Sequence, residues 1–228
     1  MSIAENLKHI RSEIAAACMR AGRAVEDVQL IAVSKTKPLE NILEAAALGQ
    51  TDFGENYVQE AVDKVQQAPH LNWHFIGRLQ SNKVKLVVGR FKLIHSVDRM
   101  KLAQVISEQA VHLGLRQDIL LQIHIGAEET KAGFLLSEAN DTISQCLLLP
   151  GIRLRGIMAL PPLTDSESQG RSWFRELKDA QAHWRQLYFS DSSDFSHLSM
   201  GTTHDYIWAI EEGATFVRIG TAVFGARD

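Results

Sequence analysis

The residues best suited to chemistry are one lysine, one arginine and two runs rich in glycine and hydroxyls. Lys35 follows the apolar, largely β-branched run Val28-Gln29-Leu30-Ile31-Ala32-Val33-Ser34. Such a run reads as a strand buried on both faces, so Lys35 stands at a strand's exit. An uncharged lysine amine attacks carbonyls to form a Schiff base. Burial and nearby positive charge lower a lysine's pKa towards neutrality, and Lys37 could supply such a charge. Far along the chain stand Ser199-Met200-Gly201-Thr202-Thr203 and Arg218-Ile219-Gly220-Thr221. Glycine lets backbone N–H groups approach an anion closely, and hydroxyls add donors, so these runs suit a phosphate. Taken singly, the same residues would serve as turns and helix caps. An amine for an aldehyde, with donors for a phosphate, fits pyridoxal 5′-phosphate (PLP), the common cofactor with both handles.

The elements that must position these residues alternate. After an opening helix, with Ile3, Leu7, Ile10, Ile14 and Ala17 at helical spacing, Ser2 is placed to cap its start and Gly22 its end. Strands are predicted at 28–34, 51–53, 72–76, 91–95, 118–125, 152–159, 195–199 and 215–219. Helices are predicted at 39–48, 57–67, 81–88, 99–113, 137–148, 166–188 and 204–211. No two-residue hairpin turn joins the strands, which favours parallel pairing. The pattern predicts an α/β fold, a single (β/α)8 TIM-like barrel with an extra N-terminal helix, in one domain over 1–228. An open doubly wound sheet is the rival, weakened by the absence of Gly-x-Gly-x-x-Gly after the first strand. Barrel active sites form at the strands' carboxyl ends. The exits bring forward Lys35, Gly54-Glu55-Asn56, His74 with Gly77, His95-Ser96, His124-Ile125-Gly126, Met158 and the two runs above. Glu55 is the acid among them.

Composition narrows the function classes. The chain of 228 residues carries a formal net charge of −3 and 22% charged residues. No basic stripe interleaved with aromatics calls for nucleic acid, and no apolar run approaches a membrane span. The N-terminus has no signal-peptide core. Cys18 and Cys146 read as small buried hydrophobes in a reducing cytoplasm rather than a disulfide. Nine histidines show no metal-ligand spacing. Glu128-Glu129, Asp191 and Asp194 read as solvated loop residues. Trp173, Phe174 and Trp184 read as packing, and Lys83 and Lys85 as surface.

Several longer motifs are more specific. Ala32-Val33-Ser34-Lys35-Thr36-Lys37-Pro38, Phe53-Gly54-Glu55-Asn56-Tyr57-Val58-Gln59-Glu60 and Trp73-His74-Phe75-Ile76-Gly77-Arg78-Leu79-Gln80-Ser81-Asn82-Lys83 closely resemble the pyridoxal phosphate homeostasis proteins, the YggS/PROSC group. Lys131-Ala132-Gly133-Phe134, Arg155-Gly156-Ile157-Met158-Ala159 and Val217-Arg218-Ile219-Gly220-Thr221-Ala222-Val223-Phe224-Gly225 fit the same family. The resemblance runs in order along almost the whole chain. It implies a barrel like the N-terminal domain of alanine racemase, with PLP carried on Lys35. It implies that Arg218 faces the pyridine nitrogen, that Ser199, Gly201, Thr203, Gly220 and Thr221 surround the phosphate, and that Asn56, His74 and Met158 lie near the ring. Two positions depart from the family pattern. Thr202-Thr203 stands where Met-Ser is usual, keeping a hydroxyl but adding a methyl, and His124 stands where asparagine is common.

A guanidinium can only donate, so at the ring nitrogen it would disfavour protonation and weaken the electron sink that much PLP catalysis uses, which suits racemisation or simple binding better than transamination. Racemisation also needs a second acid/base, which alanine racemases complete with a further β domain and a second subunit. With the chain ending at Asp228, and with Tyr57, Tyr188 and Tyr206 not obviously placed for the role, the expectation is a monomeric cytoplasmic carrier. It would store, buffer or deliver PLP, with PLP-dependent apoenzymes as partners and no robust turnover. A small PLP-dependent amino-acid racemase is the alternative, and a barrel binding another phosphate metabolite without a covalent link is a third reading.

Overall fold

The computed structural model describes residues 2–126, 132–190 and 194–225. Glu128, Glu129, Lys131, Asp191 and Asp228 lie outside the described residues. Helix α1 (Ile3–Arg20) leads into β1 (Gln29–Val33), α2 (Leu39–Ala47), β2 (Asp52–Glu55), α3 (Val58–Gln67) and β3 (Asn72–Phe75). Then follow α4 (Val84–Val87), β4 (Leu93–Val97), α5 (Met100–His112), β5 (Gln117–Ile123), α6 (Ala139–Leu147) and β6 (Ile152–Ala159). The chain continues with α7 (Glu167–Tyr188), β7 (His197–Thr202), α8 (Tyr206–Glu211), β8 (Phe216–Ile219) and α9 (Thr221–Phe224). The strands are parallel and close in sequence order, with β1 paired to both β2 and β8. That closure is the predicted barrel and excludes the open sheet, which would leave two free edges.

Helix α1 forms where its caps and stripe place it. Ser2 Oγ accepts from the Glu5 N–H at 3.2 Å while Glu5 Oε2 accepts from the Ser2 N–H at 2.8 Å, a reciprocal capping box. Gly22, at φ 64°, ends it, and the Arg23 N–H turns back to the Cys18 carbonyl at 2.9 Å. The buried stripe Ile3, Leu7, Ile10, Ile14 and Ala17 packs the helix on α8 and α9. Helix α8 in turn packs on β8, which carries Arg218, and α9 on β1, which leads to Lys35.

Two strands shift from their predicted bounds for backbone reasons. Phe195 has φ 62°, a left-handed conformation that no strand residue holds, so β7 starts at His197 and runs to Thr202. Gly201 is therefore inside the strand rather than past its exit. Strand β4 starts at Leu93, after a turn in which the Arg90 N–H bonds the Val87 carbonyl, so His95 and Ser96 also lie within a strand. The predicted helix 81–88 splits into a 3-10 turn, Ser81–Lys83, and the single turn of α4.

Period-two alternation divides the side chains into two sets. Phe53, Trp73, Phe75, Leu198, Val217 and Ile219 face outward into the main core under the helices. Ile31, Leu93, Leu120, Met158 and Phe216 form a separate cluster inside the barrel. Cys18 and Cys146 are buried and unoxidised, with burial pushing the Cys146 thiol up to about 12. Phe174 and Trp184 are buried, and Trp173 packs against the core. Asp194 is not simply solvated: its carboxylate pairs with Arg155.

Candidate functional site at the carboxyl end of the barrel

The inward positions of β8 are Phe216, Arg218 and Gly220, and those of β1 are Ile31 and Val33, the parity that continues to Lys35. The two strands pair directly, Ile31 opposite Arg218. Lys35 is half-buried, one turn past β1. Arg218 is 4% exposed. Its guanidinium donates from Nη1 to Ser199 Oγ at 2.6 Å and from Nη2 to the Ala159 carbonyl at 2.9 Å. Burial lowers its pKa to about 10, so it stays a charged donor at neutral pH. Residues from β6 and β7 thus aim the β8 arginine towards the mouth that Lys35 borders.

The backbone around Lys35 is held from both sides. Lys64 on α3 is buried and donates to the Ser34 carbonyl at 2.8 Å, to Glu55 Oε1 at 2.8 Å and to Glu60 Oε1 at 2.6 Å. Glu60 Oε1 also accepts the Thr36 N–H at 2.6 Å, and Ser34 Oγ donates to Glu55 Oε1 at 2.6 Å. Ser34 and Thr36 flank Lys35, so one ammonium and one carboxylate fix its position. Thr36 has φ 64°, a left-handed conformation costly for a β-branched residue. Here Glu55 departs from expectation. Its side chain turns away from the mouth, between the barrel wall and α3, because its parity on β2 is that of Phe53. Burial pushes its carboxyl up against the opposing pull of Lys64 and Ser34, and its Oε2 has no hydrogen-bond partner.

The other candidates fall in two groups. Asn56 continues the inward parity of β2, and its buried Oδ1 has no partner. Gly201 (φ 88°) and Gly220 flank the mouth on β7 and after β8. A Cβ on Gly220 would stand 3.3 Å from the Val33 carbonyl, so the backbone there is kept bare beside β1. Thr203 and Thr221 bring their hydroxyls to 3.4 Å of each other. The Val223 and Phe224 N–H groups turn back on the Gly220 carbonyl, so α9 opens beside this hydroxyl pair. Thr202 donates its N–H to Asp205 at 2.6 Å. His74 and Met158, by contrast, lie deeper: both are fully buried inside the barrel. His124 sits elsewhere, its N–H bonded to the Phe134 carbonyl at 2.9 Å.

Sequence reasoning missed Lys64 and Glu60. As an i, i+4 pair on an amphipathic helix they read as a surface salt bridge, and only the tertiary fold shows Lys64 buried and Glu60 half-buried against the backbone on either side of Lys35. It also missed a cleft of about 500 Å³ beside the mouth, lined by Asn56, Tyr57, Arg78, Ser81, Lys83 and Arg99 among others. The Lys-and-Arg content of the run 78–83 was the available signal.

A closed parallel barrel with a lysine after β1, a buried arginine on β8 and a hydroxyl-and-glycine rim after β7 and β8 defines a protein of the alanine racemase N-terminal class. The model of that family, "Alanine racemase, N-terminal domain", matches residues 5–228. More narrowly, the chain belongs to the pyridoxal phosphate homeostasis protein family. It is 43% identical over 232 residues to the Pasteurella multocida pyridoxal phosphate homeostasis protein, covering 100% of this chain and 99% of that one. The Vibrio alginolyticus protein of the same name is 44% identical over 234 residues, covering 100% and 98%. Among solved structures, Synechococcus elongatus PipY with PLP bound superposes with a TM-score of 0.86 at 36% identity, covering 98% of this chain and 100% of that one.

Proposed function

We propose that this chain is a single-domain, monomeric carrier that holds PLP as a Schiff base on Lys35. In this reading it stores, buffers or delivers the cofactor in the cytoplasm, to PLP-dependent apoenzymes, without robust turnover. The residues at the mouth fit the group. Lys35 follows the strand that pairs with the one carrying the fixed guanidinium, Asn56 carries a buried polar atom in need of a partner, and the Gly220 backbone leaves space beside two hydroxyls. Lys35 would take the aldehyde and Arg218 would meet the ring nitrogen. Gly201, Thr203, Gly220 and Thr221 would surround the phosphate with Ser199. His74 and Met158 would act from beneath the ring. PLP supplies an electrophilic carbonyl and a conjugated ring.

The observation that carries the reading is Arg218, a charged donor locked by Ser199 and Ala159, which suits simple binding or racemisation better than transamination. The disposition of the acids and tyrosines supports it. Glu55 faces away, the Tyr206 hydroxyl is taken by Glu13, and Tyr188 donates to the Asn140 carbonyl at 3.3 Å. Tyr57 is the exposed tyrosine beside the mouth.

Incubation with PLP is expected to give a visible band that borohydride removes, with mass spectrometry placing the reduced adduct on Lys35. An adduct on another lysine would overturn the assignment. Incubation of the loaded protein with L-amino acids tests the racemase alternative, since sustained D-enantiomer formation abolished by Lys35→Ala would defeat the carrier. Reactivation of a PLP-requiring apoenzyme by the loaded protein, but not by Lys35→Ala, tests delivery. Light scattering tests the monomer.

A further inference from the structure

A continuous hydrogen-bonded chain crosses the barrel interior from its amino-terminal end to the mouth. Asp52 Oδ1, at the start of β2, lies 2.9 Å from His74 Nε2. His74 Nδ1 lies 2.9 Å from His95 Nε2, and His95 Nδ1 lies 2.9 Å from Ser199 Oγ. Ser199 Oγ then accepts from Arg218. Asp52, His74, His95 and Ser199 are all at most 1% exposed. Phe216 packs edge-on against both rings, with centroids 5.6 Å away, and insulates them.

We infer that Asp52, His74 and His95 are positioning residues that set the direction of the hydrogen-bond donors at the cofactor mouth, acting through Ser199 on Arg218. The direction follows by elimination. Burial raises the Asp52 carboxyl, but bonds from His74 and Thr51 and the charge of Lys92 outweigh it and leave the group ionised. An ionised carboxylate only accepts, so His74 Nε2 carries a hydrogen. Burial keeps both imidazoles neutral at pH 7. His74 Nδ1 therefore accepts, His95 Nε2 donates, and His95 Nδ1 accepts from the Ser199 hydroxyl. The Ser199 hydrogen then points down the barrel, away from the mouth, and a lone pair is left for Arg218. With Asp52 an anion, one direction satisfies every link.

Without the anion the chain can reverse. An amide at position 52 offers a donor as readily as an acceptor. In the reversed chain His95 Nδ1 donates to Ser199, whose own hydrogen swings to the mouth and adds a second donor beside Arg218. Asp52 thus governs the electrostatics of the mouth from the opposite end of the barrel. The charged and titratable groups facing this chain are Lys92, 3.5 Å from Asp52, together with His197, Arg155 and Asp205.

This inference rests on the PLP reading, and its test separates the two. Wild type, Asp52→Asn and His95→Leu are loaded with PLP. The pH midpoint of the visible band and the rate of PLP loss on dialysis are then measured, with reduced adducts mapped by mass spectrometry. Both variants are expected to keep the adduct on Lys35. In Asp52→Asn the midpoint moves to lower pH, because removing an anion disfavours protonation at the mouth. His95→Leu, which takes away the partner that holds Ser199 against Arg218, loses PLP about tenfold faster, the scale of one hydrogen bond to a charged group, whereas Asp52→Asn, with its added donor, does not. Variants that melt at lower temperature but match wild type in midpoint and loss rate would reduce the chain to a structural role and overturn the inference. A wild-type protein that gains no visible band would instead sink the PLP reading itself.

Discussion

Lys35 is defined less by its own surroundings than by the two residues beside it. Lys64 holds the Ser34 carbonyl, Glu60 holds the Thr36 N–H, and the two side chains hold each other. Removing the ammonium would leave Glu55 buried with one oxygen already unpartnered. Lys64→Met is therefore expected to cost about 3–5 kcal/mol, the scale of a broken buried ion pair. Adding Glu55→Gln should recover part of the loss, because the stranded charge is then gone. Urea denaturation of the single and double variants checks this, and equal losses in both would refute it. Thr36 gives the opposite expectation. A β-branched residue in the left-handed region costs about 1–2 kcal/mol, and glycine's extra entropy in the unfolded chain returns about 0.5–1 kcal/mol of that. Thr36→Gly should raise apo stability slightly while loosening the Lys35 backbone, seen as faster PLP release. Lys35 was legible from its place after an apolar run. The latch was not, because Lys and Glu four apart on a helix look alike whether they face water or a strand end.

Among the elements, the strand exits carried most of what the sequence could reveal, since barrel topology follows from alternation and period. What alternation could not give was register. Gly201 and Ser96 were expected beyond their strands, and backbone conformation places both within them. Glu55 was expected at the mouth, and parity sends it outward. The tight approach of neighbouring exits was also hidden. A Cβ on Gly77, after β3, would stand 2.2 Å from the Asn56 carbonyl, so the exits of β2 and β3 fit together only with glycine there. Gly201 faces a similar limit, because a Cβ would meet that of Ala209 on α8 at 2.6 Å, and its φ of 88° is itself unfavourable for alanine. Gly201→Ala should lower stability by about 1–3 kcal/mol and weaken PLP retention by displacing the Thr203 rim. Gly220→Ala has no such φ and meets the Val33 carbonyl at 3.3 Å. It should keep the fold and weaken only retention. Thermal melts beside dialysis rates separate the two, and equal melting losses would contradict the argument.

For the whole molecule, burying imidazoles in the barrel couples stability to pH. Burial lowers the pKa of His74 and His95, and takes His197 to about 4. A histidine whose folded pKa lies below its unfolded value of about 6.5 gives its full stabilisation above that value. The contribution is lost as pH falls towards the folded pKa, because the unfolded chain then binds the proton more readily. His197 alone is expected to cost up to about 2 kcal/mol between neutrality and pH 5, since each pH unit in that window is worth about 1.4 kcal/mol. His74 and His95 add to the same slope. Glu55 acts with the opposite sign: its raised folded pKa favours proton uptake by the folded chain and offsets part of the loss as the pH falls towards the ordinary carboxylate value. Asp52 enters last: its strongly lowered carboxyl stabilises in full above the ordinary carboxylate range, and the contribution drains away from there as the pH falls towards the folded value. Urea midpoints at pH 7.5, 6.5, 5.5 and 5.0 should therefore fall steadily. His197→Gln, which removes the least committed of the three rings, should flatten the curve without touching the Asp52-to-Arg218 chain. A flat wild-type profile would mean that the folded histidines take up protons in step with the unfolded chain. Below about pH 6.5 the imidazoles would then be charged, and the single direction of the chain to Arg218 would be lost with their neutrality.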